Sequence, residues 1–224
     1  MSIAKSSLTI KKLSSDILKQ WSQIPTAIAG DCMNRQNVMA SRISPIKEGT
    51  KLIGQARTVS ITHGDNSAIH ACLTIMNEGD VLVIEGGGFS DRAVWGGIMN
   101  RVAIIQKLGG VVIDGSVRDI SELKQMKLPV YASSYTPAGP TKGGGGYIDV
   151  SISCGAVAIN PGDLIIGDDD GVCVIPIKRA NTVLQEAHKR LNMENQIISR
   201  LENGDLHKDI FNIKEIPILD DLEY

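Results

Sequence analysis

The chain has 224 residues, 42% hydrophobic and 21% charged, an ordinary globular composition with enough length to bury a substantial core. A net charge of −2 argues against a surface that coats nucleic acid, and two Trp, two Phe and four Tyr leave little on which to stack bases. The start has no apolar signal-type core, and no run approaches the roughly eighteen apolar residues of a membrane span, so the sequence predicts a soluble, cytoplasmic protein.

The opening "KSSLTIKK" reads as a solvated, basic end. "SSDILKQWSQI" predicts a helix capped by Ser14 or Ser15, with Ile17, Leu18 and Trp21 on one face, ending before Pro25. "PTAIAGDCMNR" predicts a second short helix with proline at its first position. "KLIGQARTVSIT" alternates well enough for a strand at 52–62. "DNSAIHACLTIMNEG" has Asp65 as cap, Ile69, Cys72, Leu73 and Met76 at helical spacing, and Gly79 as stop.

The middle of the chain predicts a strand at 80–85, the loop "GGGFSDRAVW" and a helix from Gly96 to Leu108. A strand at 109–114, the loop "GSVRD", the helix "ISELKQM" and the strand "LPVYAS" follow, which together make a parallel βαβαβ unit. The second half changes to short strands joined by Gly, Pro and Asp turns, and "NPGDLIIGDDDGVCVIP" reads as a hairpin. A long helix follows Pro176, and the tail "DLHKDIFNIKEIPILDDLEY" shows no clear periodicity. No composition break marks a linker and no repeat is visible, so residues 1–224 read as one α/β domain with N-terminal helices and a C-terminal helix plus tail.

In parallel α/β units ligands bind beyond the carboxyl ends of the strands. The segments "EGGGFSDRAVWGG" and "DGSVRD" leave neighbouring strands there, which brings Arg118 and Asp119 towards the helix start at Gly96. That start would offer the N–H groups of Gly97, Ile98 and Met99 to an anion. A substrate carboxylate could sit between them and the Arg118 guanidinium, while Asp119 could hold a hard divalent cation. The competing reading is structural: Asp119 caps the helix that follows, Glu122 reaches back to it, and Arg118 forms a surface ion pair.

The run "HGDNSAIHACLTIMNEGDVLVIEGGG…AVWGGIMN…VVIDGSVRD" resembles the class II pyruvate aldolases that cleave 4-hydroxy-4-methyl-2-oxoglutarate, together with the RraA-like proteins; the similarity spans Ala27 to Pro176. The resemblance implies an αββα sandwich of the swivelling-domain type, with a β-rich second layer beside the βαβαβ unit. It also implies homotrimers or homohexamers with sites between subunits. It assigns the Gly96, Gly97, Ile98 and Met99 backbone to the pyruvyl group of a small 2-oxo acid, and Arg118 to its oxygens. Asp119 is assigned to Mg²⁺ or Mn²⁺. The implied activity is a metal-dependent lyase releasing pyruvate by retro-aldol cleavage or oxaloacetate decarboxylation. The alternative is a catalytically silent regulator like RraA, an inhibitor of ribonuclease E. Asp119 favours the lyase, because the RraA branch typically lacks an acid after that arginine. The chain departs from the aldolases at Gly97, where they carry Asp or Glu; Asp91 or an acid of a neighbouring subunit is the candidate replacement.

Other motifs read as structural. The glycines of "PTKGGGGYID" lack P-loop spacing, with Lys142 ahead of them, and suggest a loop over the site or a subunit contact. His63 is left as a possible substrate contact on a loop, His70 as a half-buried helical residue, and "GDDDG" as a hairpin turn without calcium-loop spacing. Cysteines 32, 72, 154 and 173 show no pairing pattern, and Cys72 and Cys154 read as core residues.

Overall fold

The computed structural model describes residues 2–216. In chain order the elements are β1 (Ile3–Lys5), α1 (Ser15–Trp21), α2 (Thr26–Cys32), β2 (Ser44–Pro45), β3 (Leu52–Ile61), α3 (Ser67–Leu73) and β4 (Val81–Trp95). Then come α4 (Gly97–Ile105), β5 (Gly110–Val117), α5 (Ile120–Gln125), β6 (Val130–Tyr135), β7 (Gly146–Ile148), β8 (Ile152–Cys154) and β9 (Val157–Ile159). The hairpin β10 (Leu164–Asp168) and β11 (Gly171–Ile175), a 3₁₀ turn at Ile177–Arg179, α6 (Ala180–Glu202) and α7 (His207–Ile210) complete the described chain.

Strands β3, β4, β5 and β6 run parallel with α3, α4 and α5 as crossovers, so the predicted βαβαβ unit is present and extends one strand earlier. The sheet order is β1-β7-β3-β4-β5-β6-β2, with β10 added antiparallel to β3 and β11 to β10; β8 and β9 form a separate antiparallel pair.

Side-chain alternation turns these strands into layers. Leu82, Ile84, Val111 and Ile113 point into a core shared with Ile69, Leu73, Met99, Ala103 and Leu123 of the crossover helices. Their neighbours Val81, Val83 and Val112 point the other way, onto Ile152, Ile159, Ile165, Val172 and Val174 of the second β-layer. The far face of that layer, Leu164, Ile166, Cys173 and Ile175, packs on Trp21, Ile28, Val183 and Leu184 of α1, α2 and α6. Helix, sheet, sheet, helix is the result, an αββα arrangement with three interlayer cores.

Several local expectations change. The segment "GGGFSDRAVW" is strand, because β4 continues pairing with β5 through register shifts after Ile84, Phe89 and Ala93. "DGSV" likewise belongs to β5, leaving only Arg118 and Asp119 before α5. Helix α3 ends at Leu73, where the Thr74 hydroxyl donates to the Ala71 carbonyl at 2.7 Å, well short of Gly79. Ser14 does cap α1, accepting from the Ile17 N–H at 3.3 Å, whereas Pro25 stands one place before α2.

The basic start is not simply solvated. Ile3–Lys5 pairs in parallel with Gly146–Ile148, and Lys12 pairs with Asp80. Asp80 and Asp149 are fully buried, and Arg57 bridges them, donating to both Asp149 oxygens at 2.8 and 2.7 Å and approaching Asp80 at 3.5 Å. Part of the unpatterned tail, residues 217–224, lies outside the described residues; His207–Ile210 forms one helical turn.

Candidate active site at the start of α4

Arg118 and Asp119 follow directly on the carboxyl end of β5, and the Arg118 N–H donates to the Trp95 carbonyl at 3.0 Å. That bond ties the pair to the last residue of β4, one step before the extended N-cap Gly96 and the first turn of α4. The Arg118 guanidinium lies over Gly139, where an added Cβ would stand 2.8 Å from Nη1.

Asp119 has φ +63°, the left-handed conformation that Asp tolerates better than most residues. It occupies the cap position of α5 but makes no side-chain bond there. The carboxylate instead reaches across to α4, where Oδ2 accepts from the Gly97 N–H at 2.9 Å and stands 3.8 Å from Arg118 Nε. The capping-box alternative is therefore corrected: Glu122 does not reach back, but accepts from Arg101 Nε and Nη2 on α4 at 3.1 and 2.6 Å. One of the three amides expected to be open to an anion is also occupied, by Asp119, in this state. The reason is the positive end of α4, whose unpaired N–H groups attract the nearest carboxylate.

Gly97 is closed on its other side as well. A Cβ built there would fall on the Glu122 carboxyl group, 2.6 Å from Cδ and 2.8 Å from Oε1. Two carboxylates thus flank one glycine, Asp119 at its amide and Glu122 at its α-carbon.

A cleft of about 390 Å³ opens beside this helix start. Gly96, Ile98, Met99, Arg118 and Asp119 line it, so the structure brings five of the residues expected from the sequence into one cavity. Gly97 lies behind that lining. Asp91 is exposed on β4, accepting from the neighbouring Ser90 hydroxyl at 3.3 Å, and is not among the lining residues. Its side chain stands on β4, where the sequence predicts a loop.

Three polar residues of the lining, Asn66, His70 and Lys142, have no site role in the sequence reading. Lys142 Nζ donates to Asn66 Oδ1 at 2.6 Å. The loop that carries it is pinned to the start of α3, with Gly143 N–H donating to Ser67 Oγ at 2.8 Å and Gly144 N–H to Asp65 Oδ2 at 2.9 Å. The close approach explains one glycine, since a Cβ at Gly144 would stand 2.8 Å from the Asp65 side chain. Asp65 also accepts from the Ser67 N–H at 2.8 Å, and these amide bonds outweigh its burial to hold the carboxyl below its usual range. Burial, aided by the Lys142 charge, pushes the His70 imidazole below its ordinary value of 6.5. His63 is elsewhere, stacked on Phe89 with ring centroids 5.8 Å apart. The only sequence signal for Lys142 was a lone cation beside glycines, which is too common to mark a site.

The family model RraA-like, Aldolase/RraA, matches residues 22–174. The chain belongs to this family. A protein of Halalkalibacterium halodurans, provisionally named a 4-hydroxy-4-methyl-2-oxoglutarate aldolase, is 39% identical over 175 residues, 78% of this chain and 83% of that one. The Thermus thermophilus protein named 4-hydroxy-4-methyl-2-oxoglutarate aldolase is 32% identical over 126 residues, 56% of this chain and 76% of that one. Among solved structures, the RNA-processing inhibitor RraA from Thermus thermophilus matches with TM-score 0.64 and 28% identity, covering 69% of this chain and 93% of that one. An unusual member of the RNase ES inhibitor RraA family from Streptomyces coelicolor matches with TM-score 0.77 and 23% identity, over 84% and 100% of the two chains, and shows the fold. The RraA-like family thus contains both aldolase and inhibitor names, and the site geometry has to distinguish them.

No helix among the described residues is long and apolar enough to cross a membrane. Cys72, Cys154 and Cys173 are buried and free, as core residues; burial pushes the Cys72 and Cys173 thiols up to about 12.

Proposed function

We propose that this RraA-like protein is a divalent-metal-dependent carbon–carbon lyase that forms pyruvate through its enolate. Its substrates would be a 4-hydroxy-2-oxo acid, cleaved between C3 and C4, or oxaloacetate. The observation that carries the reading is the convergence of Arg118 and Asp119 on the start of α4 inside one cleft. An arginine fork and helix N–H groups recognise a carboxylate and hold negative charge as it develops on the enolate oxygen. Lys142, across the same cleft, suits the second anionic end of a dicarboxylic substrate. The names carried by relatives at 32 and 39% identity support the same chemistry.

Asp119 is the residue that would hold the metal. No group of three His, Cys, Asp or Glu side chains converges among the described residues, and one half-exposed carboxylate at an open cleft fits Mg²⁺ or Mn²⁺ that keeps water ligands. When bound, such an ion supplies Lewis-acid polarisation of the 2-oxo group. The working form in this reading is a homotrimer or homohexamer with clefts at subunit boundaries. Its support is the apolar surface of α4, where Ile98, in the cleft lining, and Ile105, at the far end of the helix, are 78% and 79% exposed.

The test is pyruvate release, followed with a coupled reductase, from oxaloacetate and from 4-hydroxy-4-methyl-2-oxoglutarate in Mg²⁺ or Mn²⁺. Arg118→Ala and Asp119→Ala should abolish it. Turnover equal to the free-metal background, with no saturable Mn²⁺ binding in a calorimeter, would sink the lyase reading and leave the regulator.

A further inference from the structure

We infer that a second cavity, under the N-terminal segment, binds a small organic monocarboxylate. It measures about 220 Å³ and is lined by Lys5, Lys12, Arg57 and Asp149 among others. Lys5 ends β1, Arg57 stands on β3, Asp149 follows β7, and Lys12 comes from the irregular segment between β1 and α1. Asp80, the partner of Lys12, directly precedes β4, whereas the cleft beside α4 opens beyond the other end of that strand, at Trp95. Three cations thus meet two carboxylates, Asp149 in the wall and Asp80 close to it, and one positive charge is left unmatched.

The surplus charge comes with unspent donors. A guanidinium has five N–H groups. Arg57 gives Nε–H and one Nη2–H to Asp149, and its Nη1 hydrogens to the Ile75 carbonyl and Asp80. The second Nη2–H has no protein acceptor among the described residues, although the side chain is only 7% exposed. Lys5 Nζ stands 3.9 Å from Asp149 Oδ2, beyond hydrogen-bond reach. A carboxylate between Lys5 and Arg57 accepts from both, and it is not repelled by a bare Asp149, whose two oxygens Arg57 already holds. The remaining wall is apolar. Leu8 and Ile10, alternate residues of the same segment as Lys12, line the cavity together with Ile75. These side chains suit a short aliphatic body, and a single surplus charge suits a monoanion better than inorganic phosphate.

The experiment titrates the full-length protein with sodium butyrate at constant ionic strength, by calorimetry and by methyl NMR. Butyrate is the probe because it lacks the 2-oxo group expected of a ligand in the cleft beside α4. Saturable binding should move the methyl signals of Leu8, Ile10 and Ile75. Lys5→Met should weaken it at least ~10-fold, the lower range for a hydrogen bond to a charged group. Lys5 is 46% exposed, so the variant should fold, and butyrate should raise the Tm of wild type but not of Lys5→Met. Inorganic phosphate should bind at least ~10-fold more weakly than butyrate, because it has no apolar carbons to bury. Arg118→Ala should leave butyrate affinity unchanged. The absence of saturable binding overturns the inference, as does wild-type affinity in Lys5→Met. Phosphate that binds as tightly as butyrate, or butyrate binding lost in Arg118→Ala, overturns it too.

Discussion

Substituting Asp119 separates two roles of one carboxylate. It caps α4 through the Gly97 N–H, while its proposed use is to hold a cation. Asp119→Asn keeps an acceptor for that N–H and a residue at ease with φ +63°. It loses only the charge at the positive end of the helix, ~0.3–1 kcal/mol. Asp119→Ala also loses the cap, typically ~1 kcal/mol, for a total of ~1–2 kcal/mol. The side chain is 40% exposed, so the lower halves of these ranges apply. In a chain of this size ~1 kcal/mol corresponds to ~2–4 °C in Tm. Calorimetric scans should therefore place Asp119→Asn ~1–2 °C below wild type and Asp119→Ala ~3–5 °C below. Saturable Mn²⁺ binding should disappear in both. An alanine variant with wild-type Tm would refute the cap, and intact Mn²⁺ binding in the asparagine variant would refute the metal role.

Arg57→Met leaves Asp149 and Asp80 buried without their shared cation and should cost ~3–5 kcal/mol in urea titrations; a loss under ~1 kcal/mol would mean Lys5 and Lys12 already suffice. His70 titrates low in the folded protein, so the unfolded chain takes up its proton first and stability falls as pH drops below about 6.5. His70→Asn should flatten that limb between pH 7.5 and 5.5, and Lys142→Gln should raise the imidazole midpoint seen by NMR; an unmoved midpoint would separate Lys142 from His70. Of the four thiols, Ellman's reagent should reach only Cys32 in the native protein and all four in guanidinium chloride, since the other three are buried.

The layers were legible because burial is written in periodicity. Val81, Leu82, Val83 and Ile84 form a continuous apolar run, which only a strand covered on both faces can bury, and both faces are indeed filled. The stripe Ile69, Cys72, Leu73 announced α3, although its length did not follow, because where a helix stops depends on competing hydrogen bonds such as that of Thr74. β1 was invisible, since three residues beside lysines carry no period until β7 offers an edge.

At the site, the sequence by itself determined the pair Arg118–Asp119, the strand end they leave and the glycine-opened helix they face, all of which follow from the handedness and order of parallel units. Only the tertiary structure decided which way the side chains turned. Asp119 and Glu122, three residues apart on one short helix, read locally as a capping box, yet each found a stronger partner on α4: the helix N–H of Gly97 and the guanidinium of Arg101. Lys142 lies 76 residues from Asn66 in the chain, and no local pattern records that contact. The space at Gly97 is decided the same way, because what fills it is a side chain from another helix.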